Sequence, residues 1–152
     1  MRITLLRSPV EPDYNADRGE HDFTYSIYPH SGSLAVANTL HHAYNLNLPM
    51  TVYKGVDGTG ELPESYSMVS CDRDNVIAET VKESEDGNDL IVRMYEAKNM
   101  RTRCRVTFGI PVRAAEICNL MEEEGKEIPV SNNSVDLSID PFEIVTLRIK
   151  KG

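Results

Sequence analysis

Asn75-Val76-Ile77-Ala78-Glu79-Thr80-Val81-Lys82 and Leu90-Ile91-Val92-Arg93-Met94-Tyr95-Glu96 read as two strands. Glu85-Asp86-Gly87-Asn88 lies between them as an Asp-Gly hairpin turn, in which the glycine supplies positive φ. The chain beyond keeps the same pattern. Arg103 to Phe108 alternates, with Cys104, Val106 and Phe108 inward and Arg103, Arg105 and Thr107 outward. Gly109-Ile110-Pro111 interrupts it. Val135 to Ile139 has strict period two, and Val145, Leu147 and Ile149 alternate again after Pro141. Many short strands separated by frequent turns predict an antiparallel β-sandwich. Arg113 to Glu124 is ambiguous. Its alanines, leucine and glutamates favour a helix, but its place between strands favours a strand ending at the acidic run, which is the expectation here.

Nearer the N-terminus the order is looser. Thr51-Val52-Tyr53 reads as a short strand, Gly55 to Gly60 as a loop, and Ser65 to Ser70 alternates modestly. Ser33 to Asn45 carries Leu34, Ala37, Leu40, His41 and Tyr44 at helical spacing. Gly32-Ser33 offers an N-cap, and Asn47 and Pro49 stop the helix. Ile3-Thr4-Leu5-Leu6 and Phe23 to Tyr28 read as strands paired across the loop from Arg7 to Asp22. Two strands alone are marginal in water, so this hairpin needs a further partner. The fold expected is all-β: an antiparallel β-sandwich with a lead-in hairpin and one short linking helix.

The chain has 152 residues and a net charge of −8, from 24 acidic and 16 basic side chains. That sign argues against nucleic acid as a partner. No apolar run approaches the length of a membrane-spanning helix. Met1 to Leu6 is too short, and too soon followed by Arg7, to be a signal peptide. Cys71, Cys104 and Cys118 form no Cys-x-x-Cys pair, and each lies in an apolar run. Buried reduced thiols and a cytoplasmic, reducing setting are expected. Tryptophan is absent, which weakens a sugar-stacking surface, although seven tyrosines partly substitute.

Candidate chemistry gathers first in Asp17, Glu20, His21 and His30. Their oxygen and nitrogen donors suit a zinc-like centre. In an extended strand, however, His21 and His30 stand about 30 Å apart, too far to share one ion. His41 and His42 are adjacent on a helix and point apart. Asp17 and Glu20 lie close in sequence, as the paired carboxylates of glycoside hydrolysis must lie in space. Nothing around them suggests the apolar pocket that would separate their pKa values. Arg101, Arg103 and Arg105 form an outward basic stripe best read as a solvated face paired to local acids. Glu122-Glu123-Glu124 reads as a surface acid run or a frayed strand end. The three glycines of Gly55 to Gly60 follow no strand-to-helix unit and make a turn, not a phosphate cradle.

Ser8-Pro9, Pro12-Asp13, Ala16-Asp17, Gly19-Glu20-His21, Phe23, Tyr25 and Tyr28-Pro29-His30 together resemble a segment late in the family-38 glycoside hydrolases, the retaining zinc-dependent alpha-mannosidases. The resemblance continues through Val76 to Lys82, Leu90 to Glu96 and Pro141 to Leu147, nearly the whole chain. Those enzymes are several times longer, so the resemblance implies a C-terminal fragment. It implies residues 1–32 as terminal strands of a larger central β domain, 33–49 as a helical linker, and 50–152 as the sandwich. It places the nucleophile and the zinc ligands in an N-terminal catalytic domain outside this segment, so no catalytic or metal residue carries over. Asp17, Arg18, Glu20 and His21 are left as a loop that docks on that domain or lines the rim of its sugar pocket. The partners expected are that domain and, for the whole enzyme, a carbohydrate. The alternatives are a free-standing carbohydrate-binding sandwich using Tyr25, Tyr28 or Tyr53, and a structural interaction module.

Overall fold

Alternating apolar and polar residues after residue 68 build eight strands. The structure, a computed structural model, describes residues 2–34, 36–55 and 60–152. The chain divides into two compact units, residues 1–56 and 57–152. In the second lie β1 (Val69–Cys71), β2 (Val76–Glu83), β3 (Leu90–Glu96), β4 (Thr102–Phe108), β5 (Val112–Cys118), β6 (Lys126–Ile128), β7 (Ser134–Ile139) and β8 (Ile144–Lys151). They form two antiparallel sheets, one in the order β1-β4-β7 and the other β2-β3-β8-β5-β6. The sheets face each other as a sandwich. Val106, Phe108, Val135, Leu137 and Ile139 of the smaller sheet share one core with Val92, Met94, Ala115, Val145, Leu147 and Ile149 of the larger.

The expected hairpin is present: β2 and β3 pair from Val76↔Glu96 to Glu83↔Leu90, with a bulge between Ala78 and Thr80. Gly87 closes its turn at φ 74°, with its N–H donating to Ser84 O at 2.9 Å. The ambiguous stretch resolves as strand β5, which ends at Cys118, before the acidic run. The last strand in sequence is central in space. β8 pairs with β3 from Leu90↔Ile149 to Tyr95↔Ile144 and with β5 from Val112↔Lys151 to Cys118↔Thr146. At the end of β4, Gly109 accommodates a close approach. Its N–H donates to Met68 O at 2.9 Å, Tyr66 Oη donates to its carbonyl at 2.6 Å, and an added Cβ would lie 2.4 Å from Ser67 O.

Charged groups are built into the sandwich. Glu96 is fully buried. Its Oε1 accepts from Asn75 Nδ2 at 2.8 Å and from Lys98 N at 2.7 Å, and its Oε2 accepts from Met100 N and Phe142 N, each at 3.1 Å. Asn75 Nδ2 also donates to Thr102 Oγ1 at 2.6 Å. Burial by itself would raise the Glu96 pKa. The Asn75 amide and the three backbone N–H groups outweigh that and hold the carboxyl at about 2. Glu122, expected on the surface, is instead buried. Its Oε1 pairs with Lys82 Nζ at 2.7 Å and its Oε2 accepts from Glu85 N at 2.8 Å. The turn after β5 folds back to make those contacts, with Glu122 itself at φ 67°. Arg148 of β8 donates to Asp89 Oδ2 at 2.7 Å and pairs with Asp86, so the central strand grips the β2–β3 turn.

The first unit differs from expectation. Neither Ile3–Leu6, Phe23–Tyr28 nor Thr51–Tyr53 forms a strand. Ile3, Leu5, Phe23, Tyr25 and Ile27 are exposed, so the burial that would hold such a hairpin together is missing. The helix α1 (Thr39–Asn47) begins later than Ser33. Ser33 closes a turn, its carbonyl accepting from Val36 N and Ala37 N at 3.1 Å. Asn38 holds the N-cap position without a side-chain bond. Asn47 ends the helix, with its Nδ2 donating to Ala43 O at 2.8 Å. None of the helical residues is buried. The expected Gly55–Gly60 loop lies mostly outside the described residues.

Glu96→Ala should cost on the order of 3 kcal/mol at neutral pH, because it strands several buried donors at once. Denaturant unfolding measures the loss. The folded-state pKa lies below the ordinary 4.5, so the carboxylate's contribution is complete above about pH 4.5 and is lost as pH falls toward about 2. Glu96→Gln should therefore lower stability at neutral pH and flatten its decline across that acid window. Gly109→Ala should lower the melting temperature, at a cost of about 1–3 kcal/mol, because backbone at Ser67 has to move.

Candidate functional site

The loop singled out by sequence, Asp17 to His21, is held in shape by its own backbone. Asp13 Oδ1 accepts from Asn15 N at 2.9 Å, and Ala16 N and Arg18 N donate to Asp13 O and Asn15 O. Asp17 sits at φ 59° and Gly19 at φ 138°, left-handed positions that turn the chain sharply. The Asp17 carboxylate reaches back nine residues to accept from Ser8 N at 3.0 Å. Its carbonyl accepts from His21 Nε2 at 3.0 Å. The structure thus joins Asp17 to His21 through the Asp17 carbonyl. Asp17, Arg18, Glu20 and His21 are all exposed.

The aromatic and histidine rings nearby pack on one another. The His21 ring stacks on Phe23 with centroids 6.0 Å apart, and Tyr28 lies 4.4 Å from the His42 ring and 5.7 Å from that of His30. His30 Nδ1 bonds Ser31 O at 3.4 Å. Among the described residues no group of three or more His, Cys, Asp or Glu gathers to hold a metal ion. The donor set of this loop does not fit zinc: the Asp17 carboxylate holds Ser8, and the two histidines bond separate carbonyls. Tyr25 and Tyr53 are strongly exposed, whereas Tyr28 is engaged by the two histidines.

The sandwich has its own polar feature, a groove of about 490 Å³ on the smaller sheet. Asp72, Arg73, Arg103, Arg105, Asp136 and Ser138 line it, and none of its lining residues is aromatic. The basic stripe is largely tied to local acids, as expected. Arg105 forks onto Asp136, Nε to Oδ1 at 2.8 Å and Nη2 to Oδ2 at 2.9 Å, and Arg101 pairs with Asp140 at 2.8 Å. The paired guanidinium holds the Asp136 carboxyl below its ordinary range. Arg73 Nε donates to Arg103 O at 3.1 Å. Such a groove can hydrogen-bond hydroxyls or an anion; Cys104 also lines it, and it offers no surface for ring stacking.

Sequence reasoning missed the buried charges. Glu96 had a readable signal: it falls in the inward phase of Val92 and Met94, where a carboxylate needs donors waiting for it. Glu122 had none, since its burial depends on how the turn after β5 folds.

Residues 75–147, from the buried Asn75 to Leu147 of β8, match the family model described as the glycosyl hydrolases family 38 C-terminal beta sandwich domain. The chain is 33% identical to alpha-mannosidase 2C1 of Mus musculus over 98% of its own length. It is 34% identical to alpha-mannosidase G of Dictyostelium discoideum over 96%, and 26% identical to an alpha-mannosidase of Saccharomyces cerevisiae over 98%. It spans 14–16% of the length of these relatives. Residues 75–147 thus carry the C-terminal beta sandwich domain of the family 38 glycosyl hydrolases.

Proposed function

We propose that this chain serves as the C-terminal part of an alpha-mannosidase and supplies no catalytic group to it. The observation that carries the reading is coverage: the similarity to alpha-mannosidases runs through both units, over 96–98% of the chain. In this reading the whole enzyme hydrolyses alpha-linked mannosides with retention. The nucleophile, the acid/base carboxyl and the zinc all belong to a catalytic portion outside this segment, in a cytoplasmic enzyme. The state of the carboxylates supports that division. Retaining hydrolysis needs two carboxyls about 5–5.5 Å apart and free to act on substrate. The buried carboxylates described here are committed elsewhere: Glu96 to Asn75 and backbone, Asp89 to Arg148, and Glu122 to Lys82.

The first unit is assigned the docking role. Ile3 is 58% exposed, Tyr25 61% and Ile27 67%, in a stretch that forms no ladder of its own. Apolar side chains exposed along these two segments suit incorporation into a sheet of the catalytic portion. To the Asp17–His21 loop between them, shaped by the Asp17–Ser8 bond, this reading gives the role of meeting that portion or edging its sugar pocket.

Two measurements test the reading. Alone, the chain should show no turnover of an aryl alpha-mannoside. Replacing the matching segment of Dictyostelium alpha-mannosidase G with this chain should restore activity above that of the truncated enzyme. Turnover by the chain alone, or a folded chimera no more active than the truncation, contradicts the proposal. Phe23→Ser with Ile27→Ser should leave the unfolding of the isolated chain nearly unchanged, yet weaken activity or assembly of the chimera by more than tenfold. An unaffected chimera would remove the docking role.

A further inference from the structure

Two of the three cysteines meet across a strand pair. Cys71 ends β1 opposite Val106 of β4. Cys104 stands two residues before Val106 and shares its inward phase, since β4 buries Cys104, Val106 and Phe108 and exposes the residues between. The antiparallel register therefore makes Cys71 and Cys104 diagonal neighbours on one face, with Cα atoms about 7–8 Å apart and Cβ atoms closer. Cys104 belongs to the buried core cluster, and Cys71 packs against it. Cys104 is buried, Cys71 is partly open to solvent, and both are free thiols. We propose that Cys71 and Cys104 are an oxidisable dithiol, which a peroxide converts into a disulfide joining β1 to β4.

The two sulfurs are unequal in the way such a reaction needs. The Cys104 thiol first, and then the Arg73 N–H, stabilise the Cys71 thiolate against burial and the Asp72 charge, and hold its pKa at about 7. Cys104 is pushed up, first by the Cys71 thiol and then by burial. Cys71, the thiol open to solvent, is the nucleophile, and the buried Cys104 is the resolving thiol. The Cys71 thiolate attacks one peroxide oxygen and the O–O bond breaks. Hydroxide leaves, takes a proton and becomes water, and Cys71 is left as a sulfenic acid. The Cys104 sulfur then attacks the Cys71 sulfur, the S–O bond breaks, and the departing hydroxyl leaves as water with the Cys104 proton. Two thiols are oxidised, and one hydrogen peroxide is reduced to two waters.

The bond requires backbone movement, and that movement falls where the fold can give. The sulfurs must come to about 2.05 Å, and the Cα atoms must draw in from about 7–8 Å to below about 7 Å. β1 has three residues and lies at the edge of its sheet, paired only with β4. The bond would close the loop of residues 72–103, which carries the β2–β3 hairpin from one sheet to the other, and would fasten the edge strand. Cys118 is an internal control. It is buried on β5 in the opposite sheet, where its thiol donates to Thr146 O at 3.7 Å.

The experiment treats the reduced full chain with hydrogen peroxide under native conditions, then alkylates it in denaturant and maps its peptides by mass. A Cys71–Cys104 linkage with Cys118 alkylated is expected, with the thiol titre falling from three to one. Cys104→Ser should leave a Cys71 sulfenic acid that dimedone traps. Cys71→Ser should leave Cys104 unmodified at the same dose. Wild-type chain oxidised in urea should lose the preference for this pair, a comparison that holds even where a variant folds poorly. The absence of the native linkage, its formation in equal yield with Cys118, or peroxide-inert Cys71 in the folded Cys104→Ser chain would each overturn the proposal.

Discussion

The buried carboxylate of Glu96 is the interaction on which the rest of the sandwich depends. A charge so enclosed is tolerated only where fixed dipoles replace water. Here they come from separate stretches of chain: Asn75 before β2, the turn after β3 at Lys98 and Met100, and the turn before β8 at Phe142. Through Asn75 the network also reaches Thr102, the first residue of β4. One side chain thereby ties the crossover between the two sheets to the entry of the central strand. Asn99 and Phe142, both at positive φ, lie in the two turns it organises.

That central strand sets the second constraint. β8 comes last in sequence but lies between β3 and β5, so the larger sheet lacks its middle until the C-terminal residues pair. Its inward residues Val145, Leu147 and Ile149 belong to the core. Its outward Arg148 and Lys150 bind Asp86, Asp89 and Glu116. Glu122 adds the turn after β5 to the same face through Lys82. Pairs of this kind are worth little when solvated, and more when partly enclosed and joined into a network. Here they position the hairpin turn and the β5–β6 connection over one surface of the sheet.

This arrangement accounts for the division of roles proposed above. The buried polar groups of the sandwich face donors and cations of the sandwich itself, and in its open groove Arg105 is paired with Asp136. The first unit has the opposite character: a short helix without a buried residue, segments outside any strand with apolar side chains in solvent, and one loop shaped from within by Asp17. A sandwich with a closed core and a lead-in whose apolar side chains are exposed suit the proposed docking within a longer glycosidase.

Sequence alone determined the sandwich. Strict alternation in Arg103–Phe108 and Val135–Ile139, and Asp-Gly between two apolar runs, are local signals, because a strand's two faces are written at period two. The family came instead from a resemblance, carried by motif residues from Ser8 to His30 and by stretches on to Leu147. What tertiary structure decided were the features that need partners distant in sequence. The 3–6 and 23–28 segments carry the strand pattern without the burial that makes strands. Glu122 looks like surface in a run of three glutamates and becomes interior when its turn closes on Lys82. Asp17 and His21 look like ligands until Ser8 and a carbonyl take their bonding groups. Cys71 meets Cys104 only because β1 crosses past a whole hairpin to pair with β4. Periodicity reports which way a side chain faces; only the folded chain supplies what it faces.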